Sequence, residues 1–141
     1  MEHIKKVIQW RALIAGLLVS LGASDIIGDI IAKMILASTP KNMNKMEYAL
    51  SLFHNNIILA FMVIIGSLFL FLGGITAASF AKKYPIVQAA IVGILSLIYS
   101  IILKETNFAK WFEIVSIIIP IPLSILGGYI AVSIKKRHSD S

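Results

Sequence analysis

Residues 72–83 read LGGITAASFAKK, and residues 126–137 read LGGYIAVSIKKR. In both stretches a long apolar segment ends with Leu-Gly-Gly, a spaced Ala and Ser, and then two basic residues. A hydrophobic helix that runs into basic residues is typical of a membrane span whose end lies in the cytoplasm. Because the pattern occurs twice at the same place, we predict two similar helical hairpins that lie the same way up in a membrane.

The composition also favours a membrane. Of the 141 residues, 58% are hydrophobic and 14% are charged, and the mean hydropathy is +0.89. A soluble domain of this size has too much surface to hide that many apolar side chains. We therefore expect the lipid bilayer to be a main partner of the chain. Because there is no cysteine, we expect neither a disulfide nor a thiolate metal site.

Four apolar segments are long enough to cross a hydrocarbon core of roughly 30 Å, which takes about 20 helical residues. The predicted fold class is an all-α membrane protein, with residues 1–141 in one transmembrane bundle. Its helices are expected at residues 10–34, 57–81, 85–103 and 112–134, with an outer segment at residues 38–56. That outer segment fits either an amphipathic helix on the membrane surface or an ordered loop, and His54-Asn55-Asn56 offers an asparagine as N-cap for the next helix.

The distribution of charge predicts the orientation of these helices. The side that holds both termini carries eight basic and two acidic residues, whereas the other side carries five of each. Because Lys and Arg accumulate in cytoplasmic loops, we predict cytoplasmic termini in a bacterial inner membrane, and the basic excess then indicates topology rather than a nucleic-acid partner. A cleavable signal peptide is the alternative for the N-terminus, since Lys5 and Lys6 precede an apolar run and Gly22-Ala23-Ser24 resembles a cleavage site.

Small residues recur every four positions along the predicted helices, as Ala12, Gly16 and Ser20 do. Lipid gives helices no hydrophobic drive to associate, so small residues that let backbones approach hold a membrane bundle together. These stripes either pack the bundle internally or face a partner, which is a second copy or a larger membrane protein. The residues predicted to pack helices are Gly16, Ser20, Gly28, Gly73, Gly74, Ala77, Gly93, Gly127, Gly128 and Ala131. Pro120 and Pro122 are expected to kink the fourth helix, because each lacks a backbone N–H.

Two carboxylates in the outer part of the first helix are the candidates for an ion or proton site. Asp25 lies about 21 Å beyond Arg11 at 1.5 Å per residue, which places it within the outer half of the hydrocarbon core. A carboxylate at such depth is costly and faces a protein interior or water. The alternatives are that the helix ends near Ser24 and both Asp25 and Asp29 are solvated, or that a protonated Asp25 makes a structural hydrogen bond.

No residue pattern in this chain indicates catalysis. The three histidines, at positions 3, 54 and 138, are scattered over both predicted faces and cannot form one metal site. No serine has a histidine base within helical reach on its own side. We therefore expect no enzyme activity, no metal site and no cofactor.

The order of Gly73-Gly74, the basic turn Lys82-Lys83 and then Gly93 resembles small bacterial four-helix membrane proteins of uncharacterised function. The resemblance covers about residues 66–103. It implies a four-helix membrane fold and brings no activity and no functional residues with it.

Two functions fit these features. The first is a non-enzymatic accessory, structural or assembly component that acts through helix–helix packing, as the small-residue stripes indicate. The second is a small oligomeric ion- or proton-coupled transporter or channel that uses Asp25 and Asp29. Four helices are few for a monomeric transporter, so the second function requires at least a dimer.

Overall fold

The computed structural model describes residues 9–102 and 109–139, which form helices and no strand. Leu103, the predicted end of the third helix, and the basic residues Lys5 and Lys6 lie outside the described residues. The helices in chain order are α1 (Trp10–Leu17), a π-helical turn (Leu18–Gly22), α2 (Ala23–Ala37), α3 (Lys45–Phe53), α4 (Asn56–Phe80), α5 (Pro85–Ile102), α6 (Lys110–Ile118) and α7 (Pro120–Ser139).

Four helical stretches in the described part of the chain are long and apolar enough to cross a membrane. We call them the first to fourth spans, and they cover Trp10–Met34, Asn56–Phe80, Pro85–Ile102 and Lys110–Arg137. The prediction of an all-helical protein with four apolar, membrane-length helices is confirmed. The segment between the first two spans contains the short helix α3.

Large apolar side chains cover the outside of the bundle. Leu18, Ile57, Phe61 and Ile102 are each more than half exposed, while much of the buried core consists of alanines. Soluble proteins rarely expose so much contiguous apolar surface. The four spans, with this apolar exterior, fit a small multi-pass integral membrane protein.

The helix ends follow from local sequence. Asn55 caps α4, because its side-chain oxygen accepts a hydrogen bond from the backbone N–H of Ile57 at 3.0 Å, and the predicted asparagine cap is confirmed. Pro85 begins α5, where the missing N–H of proline has no helical partner to lose. The fourth span bends at Ile119, between α6 and α7. The bend directly precedes Pro120, which with Pro122 cannot donate to the preceding turn.

Gln9 holds one end of the bundle together. Its side-chain amide donates to the carbonyl of Lys83 at 3.1 Å, and its side-chain oxygen accepts from the N–H of Lys82 at 2.7 Å. Its own backbone N–H donates to the buried Gln88 at 3.4 Å. The start of the first span and the turn between the second and third spans therefore lie together, and we call the half of the bundle next to them the closed half.

One glycine of each Gly-Gly pair, Gly74 and Gly127, lies in the main helix crossing of the closed half, between α4 and α7. A Cβ added to Gly74 would overlap the carbonyl oxygen of Ser124, and one added to Gly127 would overlap that of Phe71. The contact is reciprocal, since each glycine meets the carbonyl three residues before the other glycine. Only residues without a side chain let the two backbones approach this closely.

Other predicted packing residues lie in contacts between neighbouring pairs of helices. Gly16 faces Ala77 and the carbonyl of Gly73, and Gly93 faces the carbonyl of Pro120. Ser124 donates a buried hydrogen bond of 2.6 Å from α7 to the carbonyl of Ala89 on α5. Ser20 and Gly128 lie against Gly73 and Ala89 respectively, and Ala131 is buried.

Gly28 is the exception among the predicted packing residues. A Cβ added to Gly28 would meet nothing within 4 Å, so it does not pack against another helix of this chain. The physical reason is that α2 extends beyond the glycine-rich crossing, into the half of the bundle where the spans separate.

Candidate functional site

A cavity of about 470 Å³ lies between the spans in the half of the bundle away from Gln9. We call this the open half. Residues of all four spans line the cavity, from Ser20 in the first span to Pro120 in the fourth. Its volume is in the range of cavities that hold small molecules in proteins.

The cavity lies where the glycines of α4 no longer contact a neighbouring helix. Gly66 and Gly74 lie on the same helix, two turns apart, yet a Cβ on Gly66 would meet nothing within 4 Å. The backbones that touch at Gly74 have therefore separated at Gly66. Bulkier side chains, including Met62, Leu70 and Phe112, fill part of the gap and line the cavity.

Asp25 is the one charged side chain among the described residues that line the cavity. Its Oδ2 accepts a hydrogen bond of 3.2 Å from the Tyr99 hydroxyl on α5. This bond joins the first and third spans across the open half. The Asp25 side chain is exposed in the isolated chain, and a carboxylate at membrane depth needs water or a partner, so it attracts a positive charge.

Asp29 has a different environment. Its carboxylate pairs with the Lys33 ammonium at 2.6 Å, one turn further along α2, and both side chains are mostly exposed. Asp29 is not among the residues that line the cavity. The structure thus separates the two candidate ion-site residues, and only Asp25 reaches the space between the spans.

A π-helical turn at Leu18–Gly22 determines which residues of the first span face the cavity. Ser20 and Asp25 are five residues apart and would lie roughly 140° apart around a regular α-helix, at about 100° per residue. A π turn pairs residue i with residue i+5, which brings these two to the same side. Both line the cavity, and no pattern in the sequence predicted this turn.

Serine hydroxyls supply most of the remaining polarity of the cavity. Ser100 and Ser116 donate to carbonyls of their own helices, at 3.0 and 2.7 Å. Ser96 differs, because it is 2% exposed and its Oγ has no hydrogen-bond partner among the described residues. A buried hydroxyl left unpaired costs about 1–3 kcal/mol. Sequence reasoning missed Ser96, since one serine in an apolar helix carries no signal of its own.

The two prolines of the fourth span have different positions. Pro120 is buried and lines the cavity, whereas Pro122 is exposed and does not. At the start of the same span, the Trp111 indole donates to the Asn56 side chain at 3.0 Å, which links the second and fourth spans beyond the cavity. The described residues contain no group of three or more His, Cys, Asp or Glu side chains that could hold a metal ion.

The chain was compared with known proteins by family, by sequence and by structure. No protein-family model matches it, and neither a curated protein nor a solved structure does. The cavity between the four spans is therefore the feature of this chain that points to a function.

Proposed function

We propose that this integral membrane protein binds a cation or proton at Asp25 and conducts or transports it, as a small oligomer. The observation that carries the proposal is Asp25, the single charged side chain among the described residues that line a cavity between four membrane-length helices. A carboxylate within a membrane-spanning bundle is costly without a partner, which favours a positive charge beside it. The proposal is for binding and transport rather than catalysis, and it includes no resident metal or cofactor.

The Asp25→Asn variant should lose cation or proton uptake. Asparagine has nearly the same size and keeps an oxygen near Tyr99, but it removes the negative charge. We expect the initial rate of uptake into proteoliposomes to fall at least tenfold, measured with a pH-sensitive dye or a radiolabelled cation. Asp29→Asn is the matched control, since Asp29 lies four residues away and outside the cavity, and it should keep most of the wild-type rate. Equal rates in the wild type and the Asp25→Asn variant would refute the proposal.

We further propose that the closed half faces the cytoplasm of a bacterial cell and that the two hairpins are structural repeats. The exposed cations Arg11, Lys82, Lys83, Lys135 and Lys136 support this orientation, because they gather at the closed end of the spans. The reciprocal contact between Gly74 and Gly127 supports the repeat.

Single-cysteine labelling tests this orientation in a chain that has no cysteine of its own. In intact cells an impermeant maleimide should label a Lys41→Cys variant, between the first two spans, and spare a Lys83→Cys variant. Permeabilised cells should label both variants, which is the control for reactivity. Labelling of Lys83→Cys alone in intact cells would reverse the proposed orientation.

An accessory role through helix packing is the second candidate function. Most of the glycines and alanines that led to this prediction are used for contacts within the chain, which weakens it. What favours it is the part of α2 outside the cavity, where Ala32 and Leu36 lie one turn apart and are both exposed.

Two single-cysteine variants test whether this part of α2 contacts another protein. In membranes, oxidative or bifunctional cross-linking should trap an Ala32→Cys variant with a copy of itself or with another membrane protein if α2 is an interface. Ala60→Cys is the matched control, because both alanines are exposed on their helices. Equal cross-linking of the two variants, or none, would count against a docking face on α2.

A further inference from the structure

Hydroxyl groups around the cavity donate their protons to oxygens of the protein itself. Ser20, Ser100 and Ser116 donate to carbonyls of their own helices, at 3.3, 3.0 and 2.7 Å. Tyr99 donates to Asp25 at 3.2 Å. A carbonyl or an ionised carboxylate only accepts hydrogen bonds, so each of these hydroxyls has its proton engaged and keeps only lone pairs. The groups described here therefore present acceptors to the cavity.

At the cavity, one carbonyl lacks its usual helical donor and one hydroxyl lacks a partner among the described residues. Pro120 has no N–H to give to the carbonyl of Ser116 in the preceding turn, and both residues line the cavity. Ser96 lines the cavity as well, is 2% exposed, and has an Oγ without a hydrogen-bond partner in the described part of the chain. Buried polar groups in proteins are almost always paired, so an unpaired one indicates a partner from outside the chain, a water or a ligand.

We propose that the cavity binds a primary alkylammonium ion, that is, a small organic cation with N–H donors and an aliphatic body. Its ammonium group would pair with Asp25 and donate to the lone pairs of the surrounding hydroxyls, with Ser96 as a further partner. Its aliphatic body would contact the apolar walls, which include Ile27, Val63 and Val115. Neutralisation of the one carboxylate by one ammonium leaves no net charge in the cavity.

The walls of the cavity disfavour two other classes of cation. A hard inorganic cation needs about six oxygen ligands at about 2.0–2.6 Å, whereas this cavity of about 470 Å³ has mostly aliphatic walls. A quaternary ammonium ion has no N–H to use the acceptors and is recognised by several aromatic faces. Only Tyr99 and Phe112 are aromatic among the described lining residues.

This inference rests on the proposed cation site at Asp25 and adds the chemical class of the ligand. The test is isothermal titration of the purified full-length chain in detergent with n-butylammonium, n-butyltrimethylammonium and sodium, each as the chloride at the same ionic strength. We expect n-butylammonium to bind at least tenfold more tightly than n-butyltrimethylammonium. Asp25→Asn should abolish this binding, Ser96→Ala should weaken it several-fold, and Asp29→Asn should leave it within twofold.

The possible outcomes separate the two proposals. Equal affinity for the primary and quaternary ions would overturn the inference that N–H donors are recognised. Uptake of protons or sodium that depends on Asp25, without binding of n-butylammonium, would overturn the ligand class and leave the proposed cation site standing. If no cation is taken up in an Asp25-dependent way, both proposals fail. Ser133→Ala is the control for loss of a serine, since Ser133 donates to its own helix at 3.0 Å outside the cavity.

Discussion

Gly74→Ala is expected to destabilise the bundle strongly. The new Cβ would overlap the carbonyl oxygen of Ser124, a backbone atom that cannot rotate aside as a side chain can. Overpacking of a core costs about 1–3 kcal/mol and occasionally more, and we expect at least the upper end because α4 and α7 must separate. The measurement is the unfolding free energy in mixed micelles, followed by circular dichroism as SDS is added.

Gly66→Ala is the matched control for this prediction. It is the same substitution on the same helix, at a position where the new Cβ meets nothing within 4 Å. Alanine stabilises a helix by about 0.5–1 kcal/mol relative to glycine, so this variant should be as stable as the wild type or slightly more stable. If Gly74→Ala and Gly66→Ala unfolded at the same SDS concentration, the close contact at Gly74 would not be what stabilises the bundle.

The reciprocal contact predicts the effect of the same substitution at Gly127. Gly127→Ala should be as damaging as Gly74→Ala, because each glycine meets the carbonyl three residues before the other. The double variant should lose less stability than the two single losses added together, since residues in one contact are not independent.

Gly66→Leu is expected to preserve the fold and to remove function. A leucine side chain at this position points into a cavity rather than into a neighbouring backbone, so the chain can accommodate it. The side chain would occupy part of the roughly 470 Å³ that the ligand needs. We expect uptake in proteoliposomes to fall at least tenfold, with a melting temperature equal to or above that of the wild type.

Ala60→Leu controls for the added bulk. Ala60 is exposed on the same helix and does not line the cavity, so the larger side chain should leave uptake unchanged. A Gly66→Leu protein that transports as fast as the wild type would show that the cavity is not the route or the site. A Gly66→Leu protein that no longer folds would show that the open half is tighter than the structure has it.

Much of the architecture depends on local patterns, and such patterns can be read along the sequence. Each span is an uninterrupted or nearly uninterrupted apolar stretch, and the helix boundary at Asn55 follows from a side chain that caps its own neighbour. A role in helix packing could also be predicted for Gly73, Gly74, Gly127 and Gly128, because small residues at helical spacing have few other uses in lipid. Only the packing of whole helices determines which of these glycines contact each other.

The cavity could not be predicted, because it exists only where four helices fail to meet. Gly28 and Gly66 look like the other glycines along the chain, and only their positions relative to neighbouring helices show that nothing packs on them. Asp25 and Asp29 likewise look like one acidic pair on a helix. Their environments differ because Tyr99, seventy-four residues further along the chain, donates to Asp25, whereas Asp29 pairs with Lys33.

The amino-acid sequence by itself determined that this chain forms helices of membrane length and that small residues bring their backbones together. Both properties arise from hydropathy and side-chain size, which act over a few turns of one helix. The tertiary structure alone decided where the helices touch and where they part, and therefore that Asp25, Ser96 and Tyr99 share one cavity. That arrangement depends on the relative rotation and crossing of whole helices, which no short stretch of sequence encodes.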